Sequence, residues 1–414
     1  MKARTSMVRA GAVAAYLALS AAGLALLALP GESVAQTQGG WRKELADKAA
    51  AAQAAGQKGN YSEAIRLLKE AKAKAPLSPQ EEQGINELLI WAASGAKDHK
   101  LVLATLDERL ATGRVTGADL TRKLRLKATT QYTLKDYRGA AATFEKLGAQ
   151  GTLTADDLTQ LASAQVALKD FGKASTTLER AIAANDKAGR SKQNPKLLEM
   201  LYAAYHESNN EAKRMQTLHR WVAAAPSASN FRYLANSYEI ASNRDPVVMI
   251  NVYRLGAAKG IISGEHYAKY AETALDLSSP GEAVAMLEKG MAAGAIKKDD
   301  RNNRLLQDAK GQMERIKATL PQQEAEAKAI QTGEPEAKLA TAYFTLKNYA
   351  KASEAAQRAV TKGNLKRADD VNMLLGISLA NARKTAEAKK AFTAAAAAND
   401  KTRGVADLWT SVTG

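Results

Sequence analysis

The chain contains no cysteine in its 414 residues. That excludes disulfides, thiolate metal sites, a cysteine nucleophile and the acylated cysteine of a bacterial lipoprotein. Aromatic residues are scarce at 5% and prolines number nine, so strand-forming residues and chain breakers are both few. Only four histidines are present. The nearest approach to a zinc-protease motif, Tyr205-His206-Glu207-Ser208-Asn209-Asn210, has asparagine where a second imidazole is needed one helical turn later. No GxSxG elbow and no GxxxxGK[ST] phosphate loop occurs, and Ser94-Gly95-Ala96-Lys97, which has SxxK spacing, is accompanied by neither SDN nor KTG. The expectation is a protein with no catalytic residues, no metal site and no cofactor.

The chain does carry a basic, apolar beginning. Lys2, Arg4 and Arg9 precede the run GAVAAYLALSAAGLALLALP, and Ser33-Val34-Ala35 place small residues before Gln36. This is the pattern of an export signal over residues 1–35, with the mature chain starting near Gln36 and working in the periplasm. The length of the run leaves an uncleaved inner-membrane anchor as the alternative, and the membrane would then be touched through this segment alone. The formal charge is +16; the segment through Ala35 holds three basic residues and one acidic, so +14 remains. The basic residues are dispersed over many segments, and an exported chain does not meet nucleic acid, so acidic proteins, anionic headgroups or wall polymer are the natural counter-surfaces.

What dominates the rest is repetition. LKDFGKASTTLERA from Leu168 returns as LKDYRGAAATFEKL from Leu134, LKNYAKASEAAQRA from Leu346 and, more loosely, KGNYSEAIRLLKEA from Lys58. Alignment on one alanine gives Ala64, Ala140, Ala174, Ala283, Ala352 and Ala388. Steps of 34 and 36 residues separate Ala140 from Ala174 and Ala352 from Ala388. Twelve residues earlier stand Ala52, Ala128, Ala162, Ala271, Ala340 and Gly376. Small residues at both places let two antiparallel helices approach closely, and a period of this length means stacked helix pairs. Phe144, Leu178, Leu287 and Phe392 then fill the space against the next pair, while Tyr61, Tyr137, Phe171 and Tyr349 follow the turn inside a pair. Gly113, Gly151, Gly260, Gly294 and Gly363, each followed closely by an apolar residue, read as left-handed stops of second helices. Thr116 with Asp119, and Thr154 with Asp157, read as capping boxes of the next first helix.

These registered positions resemble the tetratricopeptide repeat (TPR): small residues at its eighth and twentieth places, an aromatic at the seventeenth and a large apolar residue at the twenty-fourth. The resemblance implies an all-α solenoid of about eight to ten TPR-like helix pairs, in two arms. The expected division is a signal at 1–35, an N-terminal solenoid at 36–300, an irregular charged helical insertion at 301–336 broken at Pro321, and C-terminal repeats with a capping helix at 337–414. Two pairs are degenerate: one has Arg214 in place of the anchoring alanine, and in the other, YLANSYEIASNRDPVVMINVYRLGAAKG, only the first helix is convincing. The plan of signal, glycine-linked repeats and GNLKRADDVNMLLGISLANARKTAEAKKAF tail is similar to periplasmic repeat proteins that accompany TonB, ExbB and ExbD systems. That similarity implies a TonB-type complex as a partner.

First helices line the concave side of such a stack, so polar residues near their small anchors are the candidate partner-binding groove: Arg125, Thr129, Glu199, His206, Arg232, Asn236 and Glu239. Arg232 and Asn236 share a face, but Ala268 and Glu272 stand where a clamp for a terminal carboxylate needs its second half. The expected function is an exported, non-catalytic adaptor that holds an envelope protein or peptide. The alternatives are a self-assembling structural subunit of the envelope or wall, and an enzyme with an unrecognised site near His206.

Overall fold

The computed structural model describes residues 40–74, 76–190 and 195–414; the signal at 1–35 and its end at Gln36 lie outside the described residues. Those residues form twenty helices and no strand, an all-α solenoid. The chain divides into two compact units, Met1–Arg214 and Met215–Gly414. In the first, α1 (Lys43–Gln57) pairs with α2 (Tyr61–Lys72), α3 (Pro79–Gly95) with α4 (His99–Ala111), α5 (Gly117–Thr133) with α6 (Tyr137–Ala149), and α7 (Ala155–Ala167) with α8 (Phe171–Lys187). Then come α9 (Pro195–Glu207) and α10 (Glu211–Ala224), inside which the two units divide. The second unit continues with α11 (Ala228–Ala241), α12 (Pro246–Ala258), α13 (His266–Asp276), α14 (Pro280–Ala292), α15 (Asp300–Ala329), α16 (Glu334–Thr345), α17 (Tyr349–Lys362), α18 (Ala368–Asn381), α19 (Thr385–Ala398) and α20 (Asp400–Val412).

The pairing follows from the small residues. Ala52, Ala64, Ala128, Ala140, Ala162, Ala174, Ala271, Ala283, Ala340, Ala352 and Ala388 have no exposed surface at all. Gly376 completes the set: a Cβ there would lie 2.4 Å from the ring of Phe392. Enlarging any of these sites forces helices apart, an overpacking cost of about 1–3 kcal/mol.

Five of the turns inside pairs are built the same way. One residue takes the left-handed conformation, and the next caps the second helix with its side chain. Gly59 precedes Asn60, Lys97 precedes Asp98, Lys135 precedes Asp136, Lys169 precedes Asp170 and Lys347 precedes Asn348, and all five caps accept from the amide three residues on. The connectors between pairs use glycine as read from the sequence: Gly113, Gly151, Gly260, Gly294 and Gly363 have φ between 67° and 70°. Thr154 and Asp157 form the expected capping box, as do Ser78 and Glu81. Thr116 does not: its side chain makes no cap bond, and Asp119 faces Arg122 and Lys123 instead.

Three readings of the sequence are corrected. The insertion expected at 301–336 is not irregular and does not break at Pro321, because α15 runs unbroken for 30 residues through that proline. Pro321 is exposed, so the helix bond it cannot donate is lost at the solvent-facing side, where water satisfies the freed carbonyl. Leu306, Ala309, Met313, Ile316 and Leu320 keep an alternating three- and four-residue spacing that lays one seam of α15 against α14 and α16. Next, the stretch between Ala64 and Ala128, which the alignment on alanine passes over, holds a full pair, α3 with α4. Finally, the second helix after Arg244 is real and is the most enclosed of all: every residue of α12 from Val247 to Gly256 is buried. A helix apolar on all sides lies in an interior.

The second unit therefore has a centre. α12 and α18, where Val371 to Leu379 are all buried, are core helices, and the last helix returns to cover α12. Trp409 of α20 stacks on Phe392 and donates its indole N–H to the Asn251 carbonyl at 3.0 Å, and Lys259 donates to the Val412 carbonyl.

Candidate interaction surface

Arg125 lies on α5, and its guanidinium is held by the next repeat. Nε donates to both carboxylate oxygens of Asp157 at 2.8 and 2.9 Å, and Nη2 to the Thr152 carbonyl. Arg42 does the same two pairs earlier, donating from Nε to Glu81 Oε1 at 3.0 Å. In both cases the acceptor is the carboxylate of a capping box, so one acid caps its own helix and ties it to the preceding one. Side-chain and backbone donors of Arg42, with the backbone of Ser78, hold the Glu81 carboxyl down at about 2. The sequence signal for Arg125 was thus the Thr154-Asp157 box rather than a groove.

Thr129 donates to Gln160 Oε1 at 3.1 Å across α5 and α7. Around it lies a row of half-exposed short hydroxyl residues: Thr129 and Thr133 on α5, Thr159 and Ser163 on α7. Thr133, Thr159 and Ser163 donate to carbonyls four residues back, and a hydroxyl that donates keeps lone pairs able to accept; Ser163 also meets the Tyr132 hydroxyl. Glu199 is half-buried and accepts from Lys196 at 2.8 Å, and the exposed His206 ring lies 3.0 Å from Arg214 Nη1. Tyr205 is buried and donates to Glu179; burial, then that carboxylate, push its hydroxyl up to about 12.

The other three candidates belong to the second unit, so the seven do not make one site within a single compact body. Arg232 and Asn236 are exposed one turn apart on α11, and Ile240, 82% exposed, continues their row. Arg232 lies over the Tyr233 ring at 5.8 Å. Glu239 is paired on both sides, with Arg244 and Lys269 each at 3.1 Å.

Sequence reasoning missed the most polar interior of the protein. Arg254 of α12 is 6% exposed and meets Glu282 of α14 in a two-pronged pair at 2.8 to 3.3 Å. Tyr270 and Ser279 donate to the same carboxylate at 2.6 and 2.7 Å, Asn251 accepts from Arg254, and the guanidinium lies 4.8 Å from the Phe344 ring centre. Burial favours the neutral acid, yet the Arg254 charge and these donors hold the Glu282 carboxyl below its usual range. Asp370 of α18 is the opposite case: burial raises it, and among the described residues no donor meets its carboxylate. His219 is likewise pushed down to about 4 by burial, stacked beside Tyr238 with Nε2 at 2.9 Å from the phenol oxygen. These groups mark how α12 and α20 are seated and line no groove. Among the described residues no group of three His, Asp or Glu side chains is placed to hold a metal ion. One open hollow of about 660 Å³ lies where α5 begins and α6 ends, lined by Gly117, Leu120, Thr121, Arg122, Gln150 and Thr152. None of the seven candidates lines it.

No protein-family model matches the chain. No curated protein matches it either. Among solved structures it is similar to the Naa15/Naa10 complex bound to HypK-THB, at 15% identity over 88% of this chain, with a TM-score of 0.40. The chain spans about half the length of that one, 54%. It is also similar to a tetratricopeptide repeat protein from Parabacteroides merdae, at 12% identity over 82% of this chain and all of the other, with a TM-score of 0.35. A third is the TPR2AB domain of yeast Sti1 in complex with pHSP90, at 13% identity over 72% of this chain and all of the other, with a TM-score of 0.25.

Proposed function

We propose that the protein is an exported, non-catalytic scaffold that holds another protein along the first-helix face of its repeats. One observation carries the reading. While every alanine that joins a pair is sealed, the row formed by Thr129, Thr133, Thr159 and Ser163 stays half-exposed. Short hydroxyls on rigid helices suit backbone amides of an extended segment, since they satisfy donors without filling the groove. The basic start, apolar run and small residues before Gln36 support export. The similarity of the connectors and tail to repeat proteins of TonB systems makes a TonB-type complex the partner to test first.

The test is in-cell crosslinking of the tagged full-length protein beside Thr129→Arg/Ser163→Arg and Arg232→Ala/Asn236→Ala versions, with mass spectrometry of the adducts. A defined envelope protein that disappears from the first variant supports the scaffold. Self-adducts alone, unchanged in both variants, favour a self-assembling structural subunit and overturn it.

A further inference from the structure

Besides the first-helix face, the first unit has an edge on which unpaired basic side chains recur from pair to pair. The turns inside successive pairs fall on the same side of the stack, because the first helices of neighbouring pairs, α1 with α3 and α5 with α7, pack side by side. Those turns present Lys58, Lys97, Lys135 and Lys169, one from each of four consecutive pairs, all exposed. Lys100 and Arg138 add a second exposed charge just beyond two of the turns. None of these six side chains has an ion-pair partner among the described residues. On the helices of the same unit Lys48 meets Glu70, Lys72 meets Glu108, Lys123 meets Glu87 and Lys127 meets Asp107, while Lys69, Lys146, Arg180 and Lys187 have no ion-pair partner among the described residues.

Three of the edge lysines also sit where lysine is poorly suited. Lys97, Lys135 and Lys169 have φ of 57°, 62° and 60°, a conformation that disfavours residues with a Cβ. Gly59 occupies the same place in the first pair, so the turn accepts glycine. Folding alone gives no reason for lysine there three times running.

We infer that this edge docks an acidic polypeptide segment of a partner protein, an inference that rests on the scaffold reading and concerns a different face. Successive pairs are about 10 Å apart, the span of about three residues of extended chain, so carboxylates at every third position meet one lysine per turn. Asp98, Asp136 and Asp170 follow the lysines and are engaged by the amides of Leu101, Gly139 and Lys173. An acid beside three of the four bases leaves a surface that a discrete chain of carboxylates can match in register, whereas a continuous anionic bilayer meets repulsion at three turns. Half-exposed Tyr61, Tyr137 and Phe171, just after the turns, offer apolar contact to the segment between its charges.

The experiment measures fluorescence anisotropy of a labelled peptide with glutamate at every third position, titrated with the full-length chain at low and high salt. Its arms are a glutamine version of the peptide, vesicles rich in phosphatidylglycerol, a Lys97→Gln/Lys135→Gln/Lys169→Gln variant, and a Lys384→Gln/Lys390→Gln/Lys401→Gln variant that removes equal charge elsewhere. The expected result is salt-sensitive binding of the glutamate peptide that weakens about tenfold in the edge variant and less than about twofold in the control. Equal weakening in both variants reduces the effect to net charge and overturns the proposal. So does edge-dependent binding to vesicles without peptide binding, or no peptide binding at all. If the edge variant keeps its groove-dependent crosslinks, the scaffold reading stands whatever happens to the edge.

Discussion

Replacing Glu282 with alanine should unseat the second unit without disturbing the first. The substitution leaves Arg254 inside, 6% exposed, with the Asn251 amide oxygen, the face of Phe344 and the unbonded charge of Asp370 in place of its ion pair, and it strips the acceptor from Tyr270 and Ser279. Removing one partner of a buried ion pair costs about 3–5 kcal/mol, because the remaining charge stays desolvated. For a unit of this size that is a fall of roughly 6–20 °C in melting temperature. Native-state hydrogen exchange of the full chain is the suitable assay. Protection should fall by roughly two to four orders of magnitude in α12, α13, α14 and α18, while α5 to α8 keep theirs. The double change Arg254→Met/Glu282→Leu should recover most of the loss, since it removes both charges and keeps the volume. A Glu282→Ala protein with exchange within about tenfold of the original would refute the assignment of this pair as the clasp of the unit.

Four further outcomes follow from the same geometry. Gly281→Ala should destabilise by at least about 3 kcal/mol although alanine favours helices, because its Cβ would lie 1.9 Å from the Thr345 carbonyl oxygen; an unchanged thermal scan would contradict the close approach of α14 and α16. Lys135→Gly should stabilise by about 1 kcal/mol in denaturant melts, since it relieves a left-handed residue at φ 62°. His219 is pushed down to about 4 while an unfolded histidine titrates near 6.5, so between these values the unfolded state binds more protons. Stability should therefore fall as pH drops from about 6.5 to about 4, and His219→Phe should flatten that slope in pH-dependent melts. Asp370 runs the other way: its raised value means stability lost as pH rises through the carboxylate range, so Asp370→Asn should melt higher than the original at pH 7 and equal it in acid.

The repeat was legible because it is written in steric terms. Only alanine or glycine fits at Ala128 and Ala140 or at Gly376 and Ala388, and only glycine enters the left-handed stops at Gly113 and Gly151 without strain, so spacing alone revealed pairs and connectors. The degenerate stretches hid their helices for a physical reason. α12 is buried on every face and so carries no amphipathic period, and α15 tolerates Pro321 because the lost bond faces water. The groove candidates were legible as positions and not as free groups. Nothing within α5 says that Asp157, thirty-two residues on, will claim Arg125, or that Lys269 will claim Glu239. The Arg254 and Glu282 clasp was equally invisible, since it joins helices brought together only when α12 becomes a core element. Runs of basic residues were read as dispersed along the chain; their concentration at turns emerges once the pairs are stacked.

The most direct test of the scaffold account places a photo-crosslinking amino acid, one position at a time, at 129, 159, 163 and 236 on first helices and at 145 and 180 on second helices. The account predicts adducts with one defined partner protein from the first-helix positions and none from the second-helix ones. The same adducts from both sets, or copies of this chain as the sole crosslinked species, would contradict it.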